Sequence, residues 1–212
     1  MVSIDRLAAF AAMSLVLIVV PGPSVLFVIG RALAQGRRAA LTTVVGNTLG
    51  AYVLVVCVAL GAGPLVERSA LAFTVLKLSG AAYLVYLGVR AVARRGSLQA
   101  AFEGEGPSYG GLRTMWEGFA VGVANPKTIV FFAAVLPQFV DRAQGDVTGQ
   151  MLLLGLVFNI IAVGCDSAWG LVAATARGWF ARSPRRLAMV GGAGGLTMIG
   201  LGVTVAATGR KD

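Results

Sequence analysis

Histidine is absent from this chain, cysteine occurs twice, and 9 acidic residues stand against 18 basic ones. Without imidazole there is no metal or haem signature, and so few carboxylates make a poor ligand set for a divalent-metal carrier. Cys57 and Cys165 both fall inside apolar stretches, so no extracellular disulfide framework is present. A transmembrane thiol–disulfide electron carrier needs accessible thiols of lowered pKa. Neither cysteine belongs to a CxxC motif or has a fixed cation nearby in sequence. Signatures of soluble enzymes are missing too: no Walker-type phosphate loop, hydrolase nucleophile elbow or zinc motif. ATP is therefore not the expected energy source, no catalytic residue is assigned, and no cofactor or metal is expected.

What the chain has is apolar surface. Hydrophobic residues make up 57% and charged ones only 13%, with a mean hydropathy of +0.82. A polar surface cannot cover that composition, so the expectation is an integral membrane protein. Six runs are long enough to cross a hydrocarbon core of about 30 Å: Leu7–Gly30, Ala39–Gly61, Ala70–Val89, Gly118–Val140, Met151–Ala176 and Leu187–Ala207. They lack the period-2 alternation of lipid-facing barrel strands, which leaves an all-α bundle. The first run continues through Pro21-Gly22-Pro23 into a further apolar turn. It has no cleavage pattern and is expected to belong to the fold.

The net charge of +9 has a commoner cause than a nucleic-acid partner. Arg37 and Arg38, then Arg90, Arg94, Arg95 and Arg113, then Arg177, Arg182, Arg185 and Arg186 gather in the first, third and fifth connections. The second and fourth carry mixed charges, Glu67 with Arg68 and Asp141, Arg142 and Asp146. The arginine-rich connections are expected to be cytoplasmic, which puts the C-terminus outside. Six full spans put the N-terminus outside as well. A first segment that turns back at Pro21–Pro23 instead leaves five spans and an inside N-terminus.

Gly96 to Thr114, with five glycines, two serines and Pro107, reads as a flexible polar linker. It divides the chain into a three-helix repeat over 1–95, a cytoplasmic linker over 96–114 and a second three-helix repeat over 115–212. Pro21-Gly22-Pro23-Ser24-Val25-Leu26-Phe27 aligns over Asn125-Pro126-Lys127-Thr128-Ile129-Val130-Phe131. Because each copy has an odd number of spans, the two repeats are expected to be inverted, with broken first helices.

Proline removes a backbone donor and clashes with the preceding turn. Asn125 suits an N-cap and Pro126 the first helical position, while Gly22 and Pro23 play those parts in the first half, with the Ser24 hydroxyl adjacent. Each start offers free N–H groups at the positive end of a helix dipole, a site for a carboxylate. The plainer reading of either break is a kink re-satisfied by neighbouring helices. Ionisable groups inside spans are costly and usually functional. Asp166 is the only carboxylate deep in a run, suited to a substrate ammonium or a coupling proton, or else to a structural pairing with a lysine, Asn159 or Ser167. Lys127 suits a substrate carboxylate, Asp166 or a structural counter-charge, and Lys77 either a site or snorkelling to the outer interface. Asn47 and Asn159 offer amides that orient a substrate or join helices. Gly46/Gly50, Gly118/Gly122 and Gly191/Gly195 are spaced for close helix packing and, where exposed, for a homodimer. Tyr83, Tyr86 and Trp179 sit where interfacial anchors are expected.

Val20 to Val28, Gly36-Arg37-Arg38-Ala39-Ala40, Leu76 to Gly88, Gly118-Phe119 through Asn125-Pro126-Lys127, and Leu136-Pro137-Gln138-Phe139-Val140 together resemble the LysE/RhtB family of amino-acid exporters. The match runs through nearly the whole chain in the family's order, although beyond Gln150 it is mainly one of hydropathy. The resemblance implies efflux of an amino acid or close derivative across a bacterial inner membrane, driven by an ion gradient. The expected site comprises Pro21, Gly22, Pro23, Ser24, Asn47, Asn125, Pro126, Lys127 and Asp166. In it the substrate carboxylate meets the two helix starts and the ammonium faces Asp166, whose protonation from outside releases it.

Overall fold

The computed structural model describes residues 2–68, 70–93, 111–176, 178–179 and 183–207. In chain order the helices are α1 (Ile4–Val19), α2 (Pro23–Gln35), α3 (Arg37–Arg68), α4 (Ala70–Ala93), α5 (Gly111–Val123), α6 (Pro126–Ala134), α7 (Val147–Thr175) and α8 (Pro184–Ala207). Short 3-10 turns occupy Leu136–Phe139 and Arg142–Gln144. No strand occurs among the described residues. Each apolar run thus becomes a helix or a broken helix pair.

Both breaks form where proline stands one residue inside a new helix. Gly22 is the N-cap of α2 and Asn125 of α6, with Pro23 and Pro126 at their starts. The structure therefore pairs Gly22 with Asn125, one residue away from the alignment of Pro21 over Asn125. α1 and α2 meet at a bend of 50°, and α5 meets the Pro126–Phe139 segment at 46°. Each bent pair is long and apolar enough to cross a membrane, as are Arg37–Gly61 of α3 and the whole of α7. The second connection between helices is tight: Gly36, at φ +84°, adopts the left-handed conformation that lets α2 end and α3 begin at once.

α3 and α7 are central. α3 packs on α5 and α7, and α7 also meets α1 and α2, while α4 pairs with α8 and touches α6. The α3–α5 contact is a backbone contact. A Cβ on Gly46 or Gly50 would overlap the carbonyls of Met115 or Phe119, and one on Gly118 or Gly122 those of Thr43 or Asn47. These glycines pack helices, as small residues do in membranes. Being buried inside the bundle, they offer no surface to a homodimer. The surroundings of Gly191/Gly195 lie outside the described residues, as do the side chains of Lys77, Tyr83, Glu67 and Arg68 and the linker up to Gly110. The remainder of the expected linker, Gly111 to Thr114, is already helical.

Two apolar clusters fill the interior. One joins α1, α6 and α7 around Phe10, Phe131, Phe132 and Phe158, whose rings meet at 4.7–5.9 Å, with Phe139 5.3 Å from Phe10. The other is aliphatic and joins Val25, Val28, Ile29 and Leu33 of α2 to Ala40 and Val44 of α3 and Ala173 of α7. Leu49, Val53, Leu156, Ile160 and Val163 point outward and are exposed, an apolar girth suited to lipid.

Candidate functional site

Between the two clusters lies a small cavity, its envelope about 370 Å³ with open solvent included, lined by Leu17, Ile18, Ser24, Val25, Asn47, Thr48, Ala51, Asn125, Lys127, Thr128, Phe158, Ala162 and Asp166. Of the nine expected site residues, Ser24, Asn47, Asn125, Lys127 and Asp166 converge on it. Pro21, Gly22, Pro23 and Pro126 do not line it. They shape the breaks and so decide where the two helix starts face.

Asn125 joins the starts. Its Oδ1 accepts from the Lys127 amide at 3.1 Å, the geometry of an N-cap, and its Nδ2 donates to Ser24 Oγ at 3.0 Å. Ser24 accepts that bond through oxygen, so its own O–H remains a donor. Gly22 supplies no side-chain cap to α2. Donors therefore dominate this side of the cavity: first-turn amides of α2 and α6 and the hydroxyls of Ser24 and Thr128.

Acceptors dominate the other side. Asn47 on α3 donates through Nδ2 to Asp166 Oδ2 on α7 at 3.0 Å, and both residues are buried. That bond orients the amide and leaves Asn47 Oδ1 buried without a protein partner. An orphaned acceptor beside a carboxylate in a polar cavity is suited to a cationic donor or a bound water. Asn159, by contrast, donates to the Gly155 carbonyl within its own helix and does not line the cavity, so the expected pairing of Asp166 with Asn159 or Ser167 is replaced by one with Asn47.

Lys127 is occupied differently from either functional expectation. Its ammonium donates to the carbonyls of Leu17 and, at 2.7 Å, Val20. Trp169 Nε1 donates to Val19 O at 3.1 Å. The last turn of α1 leaves carbonyls that the break at Pro21 deprives of helical partners. Two side chains from the second half satisfy three of them, and the cation sits at the negative end of the α1 dipole. No ion pair joins Lys127 to Asp166 among the described residues. The counter-charge reading is the one this geometry favours.

Thr48, Ala51, Phe158 and Ala162 were not singled out from the sequence. A helical signal for them existed: Phe158 and Ala162 precede Asp166 by two turns and one, and Thr48 and Ala51 follow Asn47 along α3. Cys57 is exposed and Cys165, next to Asp166, half-buried, and both are free thiols. Tyr86 and Trp179 are about half exposed, with Arg90 5.9 Å and Arg186 4.0 Å from their rings.

Comparison with known proteins agrees with this architecture. The model of the LysE type translocator family matches residues 15–209. An uncharacterized membrane protein of Vibrio cholerae is 32% identical over 93% of this chain and 95% of its own length. A homoserine/homoserine lactone efflux protein of Salmonella typhimurium is 30% identical over 84% of this chain and 85% of its own. An uncharacterized membrane protein of Bacillus subtilis is 26% identical over 74% and 78%. No solved structure gives a significant match.

Proposed function

This chain belongs to the LysE type translocator family, and from that premise we propose that it exports an amino acid or close derivative, coupled to inward movement of a proton. It is a multi-pass membrane transporter and not an enzyme. The observation that carries the proposal is the division of one buried cavity into a donor side, made by two helix starts, and an acceptor side, made by Asn47 and Asp166. A zwitterion of the amino-acid type complements both. Its carboxylate accepts from the first-turn amides and from Ser24 and Thr128, and its ammonium donates to Asp166 and to Asn47 Oδ1. The relative named for homoserine and homoserine lactone efflux is consistent with a substrate of this size and chemistry.

Coupling then runs through Asp166. With the site open to the outside, a proton taken up by the carboxylate cancels the charge that held the ammonium, and the substrate leaves outward. When the site faces the cytoplasm, the proton departs inward and the carboxylate regains its affinity. Each cycle moves one substrate out and one proton in.

The membrane is proposed to be the bacterial inner membrane, with six spans and both termini outside. Bends of 50° and 46° favour broken spans that continue across over segments that turn back. Two inverted repeats, 1–95 and 115–212 around a cytoplasmic linker, are supported by the matched caps at Gly22 and Asn125. Exchanging α1–α4 with α5–α8 also maps the α3–α5 contact onto α1–α7 and the α2–α7 contact onto α3–α6, all of which occur.

The deciding experiment measures amino-acid release from cells loaded by dipeptide feeding, comparing the chain, its Asn125→Ala variant and an empty vector. Selective release that the variant loses is the expected result. No release above vector from protein confirmed in the membrane refutes the proposal.

A further inference from the structure

An apolar cluster lies on either side of the cavity, and beside each cluster a charged contact ties one half of the chain to the other. On the α2 side, Arg31 pairs with Glu117 of α5, and Arg113 Nε donates to the same carboxylate at 3.2 Å. The Arg31 side chain is 13% exposed, Glu117 29%, and the guanidinium lies 5.1 Å from the Phe27 ring. On the α1 side, Arg6 donates to the Val140 carbonyl at 2.7 Å and approaches Asp141 at 3.9 Å, with 43% of its side chain exposed. α1 runs from Arg6 to the break and α2 runs on from the break to Arg31, so the two contacts lie on opposite sides of the site. None of Arg6, Arg31, Arg113, Glu117 and Asp141 lines the cavity.

The geometry points to Arg31 and Glu117 as the gate of the transport path at the end that carries Arg37, Arg38 and Arg113, with Arg6 and Asp141 as its counterpart at the opposite end. This rests on the exporter reading above. Alternating access needs one end open and the other shut, and a rocking of the halves separates α2 from α5 at one end or α1 from the α6–α7 connection at the other. Each contact joins the first limb of one broken helix to the second limb of the other, or to the segment that follows it, so each must part when its own end opens. The two differ in strength for a physical reason. A half-buried carboxylate held by two guanidinium groups is a charge-assisted arrangement that leaves unbalanced charge when one partner is removed. The Arg6–Asp141 pair, longer and with the more exposed arginine, is weak by comparison, and the phenylalanine cluster behind it supplies most of the closure at that end.

The test reads which side of the membrane the cavity faces. In the full chain carrying Cys57→Ser and Cys165→Ser, Ala51→Cys places a reporter thiol in the cavity wall, and a membrane-impermeant maleimide is applied to right-side-out and to inside-out vesicles. Glu117→Gln is expected to raise labelling from the cytoplasmic face about tenfold relative to the parent and to lower it from the outer face. Asp141→Asn is expected to shift it the other way, by a smaller factor. Arg31→Gln combined with Glu117→Gln should shift labelling no further than Glu117→Gln alone, because the pair opens as a unit. Unshifted labelling in both single variants, a shift in the same direction in both, or additive effects in the double variant overturns the gate. Should Glu117→Gln fail to reach the membrane, Asp141→Asn decides from the other end, with an outward shift expected and no shift overturning it. Export is scored separately: release without a labelling shift refutes the gate alone, and a shift in a chain that releases no amino acid refutes the exporter reading alone.

Discussion

Three of the buried polar contacts at the breaks and the cavity, Asn125 with Ser24, Asn47 with Asp166 and Lys127 with the α1 carbonyls, cross between the halves. Lys127 is 5% exposed, and its ammonium serves the carbonyls that the Pro21 break strands at the end of α1. Lys127→Met keeps the stem but leaves those carbonyls unpaired, so unfolding in detergent should become easier by about 1–3 kcal/mol, read as a lowered thermal midpoint. An unchanged midpoint would mean that Lys127 is free for the substrate after all. Asp166→Asn should behave in the opposite manner. Asparagine preserves the shape and still accepts from Asn47, so the protein should insert and melt normally while gradient-driven release falls to vector background. Retained coupled export in that variant removes Asp166 from the mechanism. That Asp166 would be buried within the bundle was legible from its isolation in an apolar run. Its partner was not, because Asn47 and Asp166 meet only through the packing of α3 on α7, which leaves no trace in local spacing.

At the scale of elements, the breaks and the glycine-mediated contact carry separate burdens and can be separated by mutation. Asn125→Asp keeps the acceptor that caps α6 but replaces the donor to Ser24 with a negative charge facing the carboxylate side of the cavity. Its stability should stay within about 1 kcal/mol of the parent, yet export should be lost; a stable, active Asn125→Asp would refute a carboxylate site at the helix starts. Gly46→Ala meets backbone that cannot step aside, whereas Gly61 faces open space. The first substitution should destabilise by about 1–3 kcal/mol and Gly61→Ala should not, as judged by resistance to unfolding in detergent. Proline chemistry made the breaks readable from the sequence, since Gly22, Pro23, Asn125 and Pro126 each favour the position they occupy. The glycine spacings announced close packing but not its partner, which for Gly46, Gly50, Gly118 and Gly122 is the α3–α5 contact. The alignment set Pro21 over Asn125 whereas the observed caps are Gly22 and Asn125, because Pro21 and Pro23 both compete for the start of α2 and only the cap geometry decides.

For the whole molecule, the proposed cycle ties the direction of transport to the proton gradient. In that proposal a proton on Asp166 weakens the hold on the ammonium and so favours release wherever protons are abundant. In a cell the outer face of the inner membrane is the more acidic, which makes outward release the favoured half of the cycle. Proteoliposomes preloaded with a labelled amino acid that the cell assay identifies should therefore empty faster when the medium on the outer face is made acidic relative to the lumen, and slower when the gradient is collapsed with an uncoupler. Each substrate leaving should be matched by one proton entering, measurable as lumenal acidification. Exchange at equal pH on both sides does not require Asp166 to change charge on each turnover, so Asp166→Asn should retain whatever exchange its weakened binding allows but show no response to the gradient. An efflux rate indifferent to the gradient in the parent chain would leave the cavity as a binding site and remove the proton from the cycle. A gradient response that persists in Asp166→Asn would move the coupling to another group, and Glu117 and Asp141, the carboxylates of the two contacts between the halves, would be the first to examine.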